Sequence, residues 1–321
     1  MPAVDTDKSA ATPAPGSGCG AGSAPGGSGS GTDAAPDASA GTGEASPPLA
    51  EVTIKTLQRM VRDKTPIACL TCYDATTARL LQAARVPLLL VGDTAAEMIL
   101  GLPGTIHAPL DFLITLTAAV KRGAPRTFVM GDMPFMSYQA DEADALRNAG
   151  RFLTEGQADA VKLEVDHTFA RLVERMARAG IPVCGHIGSR PQQSKKRGGY
   201  GSTGRTADEA RALVEDAKVL ESAGATMLLV EAVPNEVTQR IVEETAVPVI
   251  GCGAGPAAHG QIVVLQDILG LSDWQPAFAR PIADLGARLT DSAALWVQKV
   301  LASDLGEHPY RMSEEEIRRW S

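Results

Sequence analysis

Four acidic residues close apolar runs in this chain: Asp93 in LLLVGD, Asp132 in FVMGD, Glu164 in AVKLE and Glu231 in LLVE. A carboxylate is costly to bury, so an apolar strand rarely ends in one by chance. Four such ends brought to one place would hold a divalent cation on hard oxygen ligands and leave a base beside it. Lys162 stands two residues before Glu164. The period-two alternation of a strand therefore puts both side chains on one face. His186, in CGHIG, ends another apolar run; it reads either as a group that orients substrate or as a satisfied core histidine. Asp74 follows IACLTCY and reads as a helix cap or a supporting partner before it reads as catalytic.

The elements that must position these groups alternate along the chain. Strand candidates are 66–71, 87–93, 126–132, 159–164, 182–188, 226–232, 248–254 and 262–267, with helical patterns filling most of the gaps. Glycines near the helix ends act as C-caps. Eight strands alternating with helices suggest an α/β fold, a single (β/α)8 TIM barrel, although a doubly wound sheet uses the same alternation. The acids arbitrate. They sit after the second, third, fourth and sixth strands, and in a barrel those carboxyl ends meet around one axis. An open sheet would spread them across its width.

Residues 1–49 are almost entirely small and polar and lack the apolar surface to offset ordering entropy, so they predict a disordered N-terminal arm before a catalytic barrel with C-terminal helices over 50–321. The net charge of −8 argues against a nucleic-acid partner. No apolar run is long enough to span a bilayer, and no secretory signal pattern opens the chain. Five cysteines, mostly in strand-like runs, predict reduced thiols and a cytoplasmic protein. Cys69 and Cys72 form a C-x-x-C, which reads as two strand-end thiols because no second pair or spaced histidine completes a zinc site. The glycines of 251–255 predict tight-turn packing ahead of a phosphate loop. The glycine-rich basic stretch 192–205 predicts a lid whose Lys195, Lys196, Arg197 and Arg205 either attract an anionic ligand or remain a solvated face.

The chain resembles a known family. V-G-D-T (91–94), G-D-M-P-F-M-S-Y (131–138), V-K-L-E (161–164), P-V-C-G-H-I-G (182–188), G-G-Y (198–200), L-V-E-A-V-P (229–234), P-V-I-G-C-G-A-G (248–255) and T-A-A-V-K-R-G-A-P (117–125) are similar to ketopantoate hydroxymethyltransferases. These are relatives of the phosphoenolpyruvate mutases and isocitrate lyases. The resemblance covers about residues 51–270 in order. It implies transfer of a hydroxymethyl group from 5,10-methylenetetrahydrofolate to 3-methyl-2-oxobutanoate, Mg²⁺ as cofactor, and homo-oligomers, commonly decamers. By the same resemblance Asp93, Asp132 and Glu164 are the metal ligands. Asp93, Thr94, Asp132 and Lys162 contact the 2-oxo acid, and Glu231 is the catalytic proton acceptor; the resemblance leaves His186 with the two readings given above. The alternative within the same superfamily is a folate-independent, Mg²⁺-dependent C–C lyase or hydrolase.

The chain departs from the family pattern at places near these groups. Thr94 stands where Ser is usual and is followed by Ala-Ala-Glu97-Met, the 101–112 segment is altered, Arg190 replaces an uncharged residue, and His259 replaces an acid. These departures bear on the folate pocket and on the side chain of the oxo acid, while the metal ligands and base are intact.

Overall fold

The computed structural model describes residues 50–321. The expected disordered arm, 1–49, lies outside the described residues. Eight parallel strands close into a barrel in sequence order: β1 (Ile67–Thr71), β2 (Leu88–Val91), β3 (Phe128–Asp132), β4 (Ala160–Glu164), β5 (Val183–Gly188), β6 (Met227–Glu231), β7 (Val249–Cys252) and β8 (Gly260–Val263). The helices are α1 (Ile54–Arg62), α2 (Ala75–Ala83), α3 (Ala95–Met98), α4 (Leu110–Gly123), α5 (Glu142–Thr154), α6 (Ala170–Arg178), α7 (Ser194–Arg197), α8 (Ala207–Ser222), α9 (Asn235–Glu244), α10 (Leu265–Ile268), α11 (Leu285–Leu301) and α12 (Glu314–Trp320).

The barrel forms because its strands are apolar on both faces, as parallel strands covered by helices require. β2, β3, β4 and β5 are buried at every residue. One core lies between strands and helices, with Val129, Phe152, Leu163 and Met176 fully buried. A second lies inside the barrel's amino-terminal half, where Leu57 of α1 packs against Ile67, Leu88 and Phe128. Capping fixes the helix starts. Asp74 caps α2 through a 2.8 Å bond from the Thr77 amide, and Thr206 with Glu209 forms a capping box on α8.

Seven strands fall within two or three residues of their expected limits. The eighth differs: the apolar run predicted a strand at 262–267, but β8 occupies 260–263 and α10 begins at Leu265. Gly260 pairs with Ile67 on one side and Ile250 on the other. A Cβ there would stand 2.3 Å from the Ile67 carbonyl oxygen, so closure of the barrel selects glycine at a position that apolar patterning does not mark. No helix among the described residues is long and apolar enough to cross a membrane.

Candidate active site

Asp93 follows β2, Asp132 ends β3, Lys162 and Glu164 lie on β4, His186 lies on β5 and Glu231 ends β6. All six line one cavity of about 70 Å³ at the carboxyl ends of the strands, together with Thr94 and Cys252. Register brings them there: Asp132 is paired with Lys162, Glu164 with His186, and Glu231 with Cys252. The expected constellation is thus brought together.

Its internal bonds are few and specific. Lys162 Nζ donates to both carboxylate oxygens of Asp132 at 2.6 Å. Asp132 Oδ2 also accepts from the Asp93 amide at 3.0 Å. Thr94 Oγ1 lies 2.6 Å from the Tyr73 hydroxyl. His186 is 1% exposed, with Nδ1 3.9 Å from Glu164 and Nε2 3.5 Å from Glu231. Neither ring nitrogen has a hydrogen-bond partner. Buried polar atoms are normally hydrogen-bonded, so His186 departs from the pattern of a satisfied core histidine.

Four carboxylates face one ammonium in this cavity, a formal excess of three negative charges when all are ionised. Burial pushes Glu231 up to about 7, with Lys162 pulling it down and Asp93 and Asp132 adding to the rise. Burial, reinforced by Asp93, lifts Glu164 well above the carboxylate range. Burial also raises Asp132, against the pull of Lys162. For Lys162 itself burial opposes the charge, but Asp132, Asp93 and Glu164 outweigh it and keep the ammonium protonated. Burial, then the nearby Lys162 and Arg190, holds His186 neutral.

Such a crowd of acids is stable only with more positive charge or with protons. Among the described residues no three Asp, Glu, His or Cys side chains form a ready-made cage for an ion. The donor set nevertheless fits Mg²⁺, which takes hard oxygens, commonly from one or two carboxylates, and leaves its other positions to water and substrate.

Sequence reasoning missed Gln192 and Tyr138. The Gln192 amide donates to Asp93 Oδ2 at 3.0 Å, and its backbone N–H donates to Glu164 Oε2 at 3.0 Å. The Tyr138 hydroxyl donates to Gln192 Oε1 at 2.9 Å and accepts from the Glu164 amide at 3.0 Å. Both lay within quoted motifs, but no local pattern says that a loop glutamine reaches acids on two other strands.

The remaining expectations sort by position. Asp74 is a helix cap. Cys69 and Cys72 are buried free thiols, consistent with strand-end packing. The 251–255 glycines pack against Phe278 and Asn235. Arg190 is held by Asp166 at 2.7 Å, and His259 Nδ1 accepts from the Val249 amide at the opposite end of the barrel. Glu97 is half-buried, and burial, then Asp93 and Asp267, raises it.

The ketopantoate hydroxymethyltransferase family profile matches residues 51–307. This chain belongs to that family. The match runs past the 51–270 span over which the motifs are recognisable. A 3-methyl-2-oxobutanoate hydroxymethyltransferase from Thermobifida fusca is 46% identical over 233 residues, covering 73% of this chain and 83% of the relative. The Pyrobaculum aerophilum enzyme of the same name is 44% identical over 240 residues, covering 75% and 91%. Among solved structures, 2,3-dimethylmalate lyase of the phosphoenolpyruvate mutase/isocitrate lyase superfamily superposes with a TM-score of 0.52 at 16% identity, covering 85% of this chain and 93% of that one. Phosphoenolpyruvate phosphomutase from Streptomyces platensis gives 0.51 at 14% identity, covering 78% and 88%. At that identity the likeness concerns the fold.

Proposed function

We propose that this protein forms ketopantoate by moving a hydroxymethyl group from 5,10-methylenetetrahydrofolate to 3-methyl-2-oxobutanoate, with Mg²⁺ as the metal. The observation that carries the proposal is the single cavity uniting Asp93, Asp132, Lys162, Glu164 and Glu231 in a chain of this family. Asp93, Asp132 and Glu164 would hold the metal. A bound divalent cation supplies charge stabilisation at the keto oxygen of the substrate.

The chain's own residues do the rest. Lys162 supplies the cation that meets the substrate carboxylate, and Thr94, aligned by Tyr73, offers a hydroxyl to the same end. Glu231, raised to about 7, takes the proton from C3. It lies in the same cavity as the Asp132–Lys162 pair, on a different strand. Neutral His186, with both nitrogens unpartnered beside Glu231, can exchange a hydrogen bond with whichever oxygen gains charge. The C3 carbanion equivalent then bonds the one-carbon unit, whose two carbon–nitrogen bonds to the folate break; water supplies the hydroxyl, and the nitrogens take up protons as tetrahydrofolate leaves. Burial of the site excludes bulk solvent and strengthens each of these interactions.

The protein also belongs, on this proposal, in a homo-oligomer of the cytoplasm, with residues 50–321 as the catalytic unit. Leu289, Leu295, Trp296 and Leu301 of α11 and Trp320 of α12 are exposed large apolar side chains, of the kind that subunit interfaces cover. The alternative, a folate-independent lyase or hydrolase, has the shared fold in its favour and no site observation of its own.

Incubation with 3-methyl-2-oxobutanoate, Mg²⁺ and methylenetetrahydrofolate tests the proposal. Ketopantoate should accumulate and should disappear when either the metal or the folate is withheld. Cleavage of the oxo acid without folate would replace this proposal with the lyase alternative.

A further inference from the structure

Gln192 joins three things that the barrel otherwise keeps apart. Its amide nitrogen donates to Asp93 after β2 and to the Met133 carbonyl after β3, both at 3.0 Å. Its backbone N–H donates to Glu164 on β4. Its side-chain oxygen accepts from Tyr138 at 2.9 Å and from Gln139 at 3.0 Å. The residue is 3% exposed. Two residues further on α7 (Ser194–Arg197) begins, and 195–202, with the left-handed Gly198 and Gly199, is exposed and shares a surface cavity with the 103–107 segment. This stretch is fastened again at Thr203, whose amide donates to the Ala232 carbonyl at 3.1 Å, next to Glu231. One end of the loop is therefore tied to the acids read as metal ligands and the other to the residue after the proposed base. Pro191, at the loop's root, forms part of the cavity wall.

We infer that Gln192 is a positioning residue that couples the metal-binding carboxylates to the 193–202 loop. The inference rests on the metal role proposed above for Asp93 and Glu164. An amide N–H can only donate, so Gln192 fixes the orientation of the Asp93 and Glu164 carboxyl oxygens that accept from it. Groups that orient metal ligands in this way typically govern metal affinity by ~10- to 100-fold. Pro191 lines the cavity and Gln192 follows it directly, so a displacement of the loop's root reaches both the cavity wall and the two carboxylates. Coupling between sites is reciprocal: if the loop's position sets the carboxylates, an ion on the carboxylates sets the loop.

The loop carries its own reporters. Lys195, Lys196 and Arg197 are exposed, so trypsin cuts there when the loop opens. The test uses the full chain and Mn²⁺ alone as the probe. Mn²⁺ affinity is measured by titration of free ion, and cleavage after 195–197 is followed by mass spectrometry with and without the ion. In the wild type, saturating Mn²⁺ should slow cleavage several-fold. In Gln192→Met, which keeps length and loses the donors, Mn²⁺ affinity should fall ~10- to 100-fold and cleavage should no longer respond to the ion. Gln139→Ala, which removes one donor to the Gln192 oxygen and a long bond from the Tyr138 amide, should fold normally and give a smaller change in the same direction. Equal Mn²⁺ affinity in all three proteins, with only a lower melting temperature in Gln192→Met, would reduce Gln192 to a structural residue. Wild-type cleavage indifferent to bound Mn²⁺ would overturn the coupling alone. Absence of Mn²⁺ binding by the wild type would remove the metal role as well.

Discussion

The two ends of the barrel bury different things. At the amino-terminal end Leu57, Ile67, Leu88 and Phe128 pack as an apolar plug under α1. A cavity of about 610 Å³ opens beside that end, between α1 and the starts of β1 and β8. At the carboxyl end the cavity is far smaller, about 70 Å³, and is walled by four acids and one lysine. Size would select the first as the site, and chemistry selects the second. Apolar packing stabilises wherever it occurs, whereas buried carboxylates persist only with compensating partners. The same strands thus carry an apolar plug at one end and, at the other, the charged cavity proposed as the site.

The largest test of that contrast is Lys162→Met. It leaves Asp132 buried beside Asp93 without its ammonium, at a cost of about 3–5 kcal/mol. Denaturant unfolding should show that loss and turnover should vanish; a loss under about 1 kcal/mol would mean that Asp132 is already protonated in the native state. Leu57→Ala at the other end should cost about 2–5 kcal/mol by leaving a cavity. Its kcat/KM at a temperature where it stays folded should match the wild type. If activity fell with stability, the two ends would not be separable.

The pH dependence sharpens the division. Glu231 is raised to about 7, and a base works only when deprotonated. Proton abstraction should therefore rise with pH up to about 7 and level off above it. The sign for stability is opposite. A carboxyl whose folded pKa is raised binds more protons folded than unfolded, so its contribution to stability is lost as pH rises from the unfolded value toward 7. Glu231→Gln should then melt higher than the wild type at pH 8, with the difference shrinking at pH 5. A constant difference across that range would detach the shift from Glu231. The smallest effect is expected at Arg190→Ala. This breaks the partly exposed pair with Asp166 and should cost roughly 0–1 kcal/mol. It tests whether this family-atypical arginine matters to the acids or only to its own loop; an altered KM for the oxo acid would favour the acids.

Much of the barrel was legible because its strands are short, continuous apolar runs, and their terminal acids break a pattern that is otherwise simple. β8 was misplaced because the decisive residue, Gly260, is selected by the close approach of Ile67 rather than by hydrophobicity. The acids, Lys162 and His186 were found because strand periodicity and register carry them inward. Gln192 was not, since its bonds to Asp93 and Glu164 join residues 99 and 28 positions away. Its loop has no period that would point to them. The short helices α3 and α7 escaped for a similar reason: at four residues each they are set by tertiary packing and not by a repeating apolar face.

On the proposed function, the acid-walled cavity forms an enolate, with Glu231 as its base. Exchange of the C3 hydrogen of 3-methyl-2-oxobutanoate for deuterium, followed by proton NMR in D₂O without folate, measures that step alone. The wild type should exchange in the presence of Mg²⁺ and stop when the metal is chelated. Glu231→Gln should lose about 10²- to 10⁴-fold in rate while binding Mn²⁺ as before. Exchange that survives in Glu231→Gln, or that never occurs in the wild type with metal bound, would contradict the account.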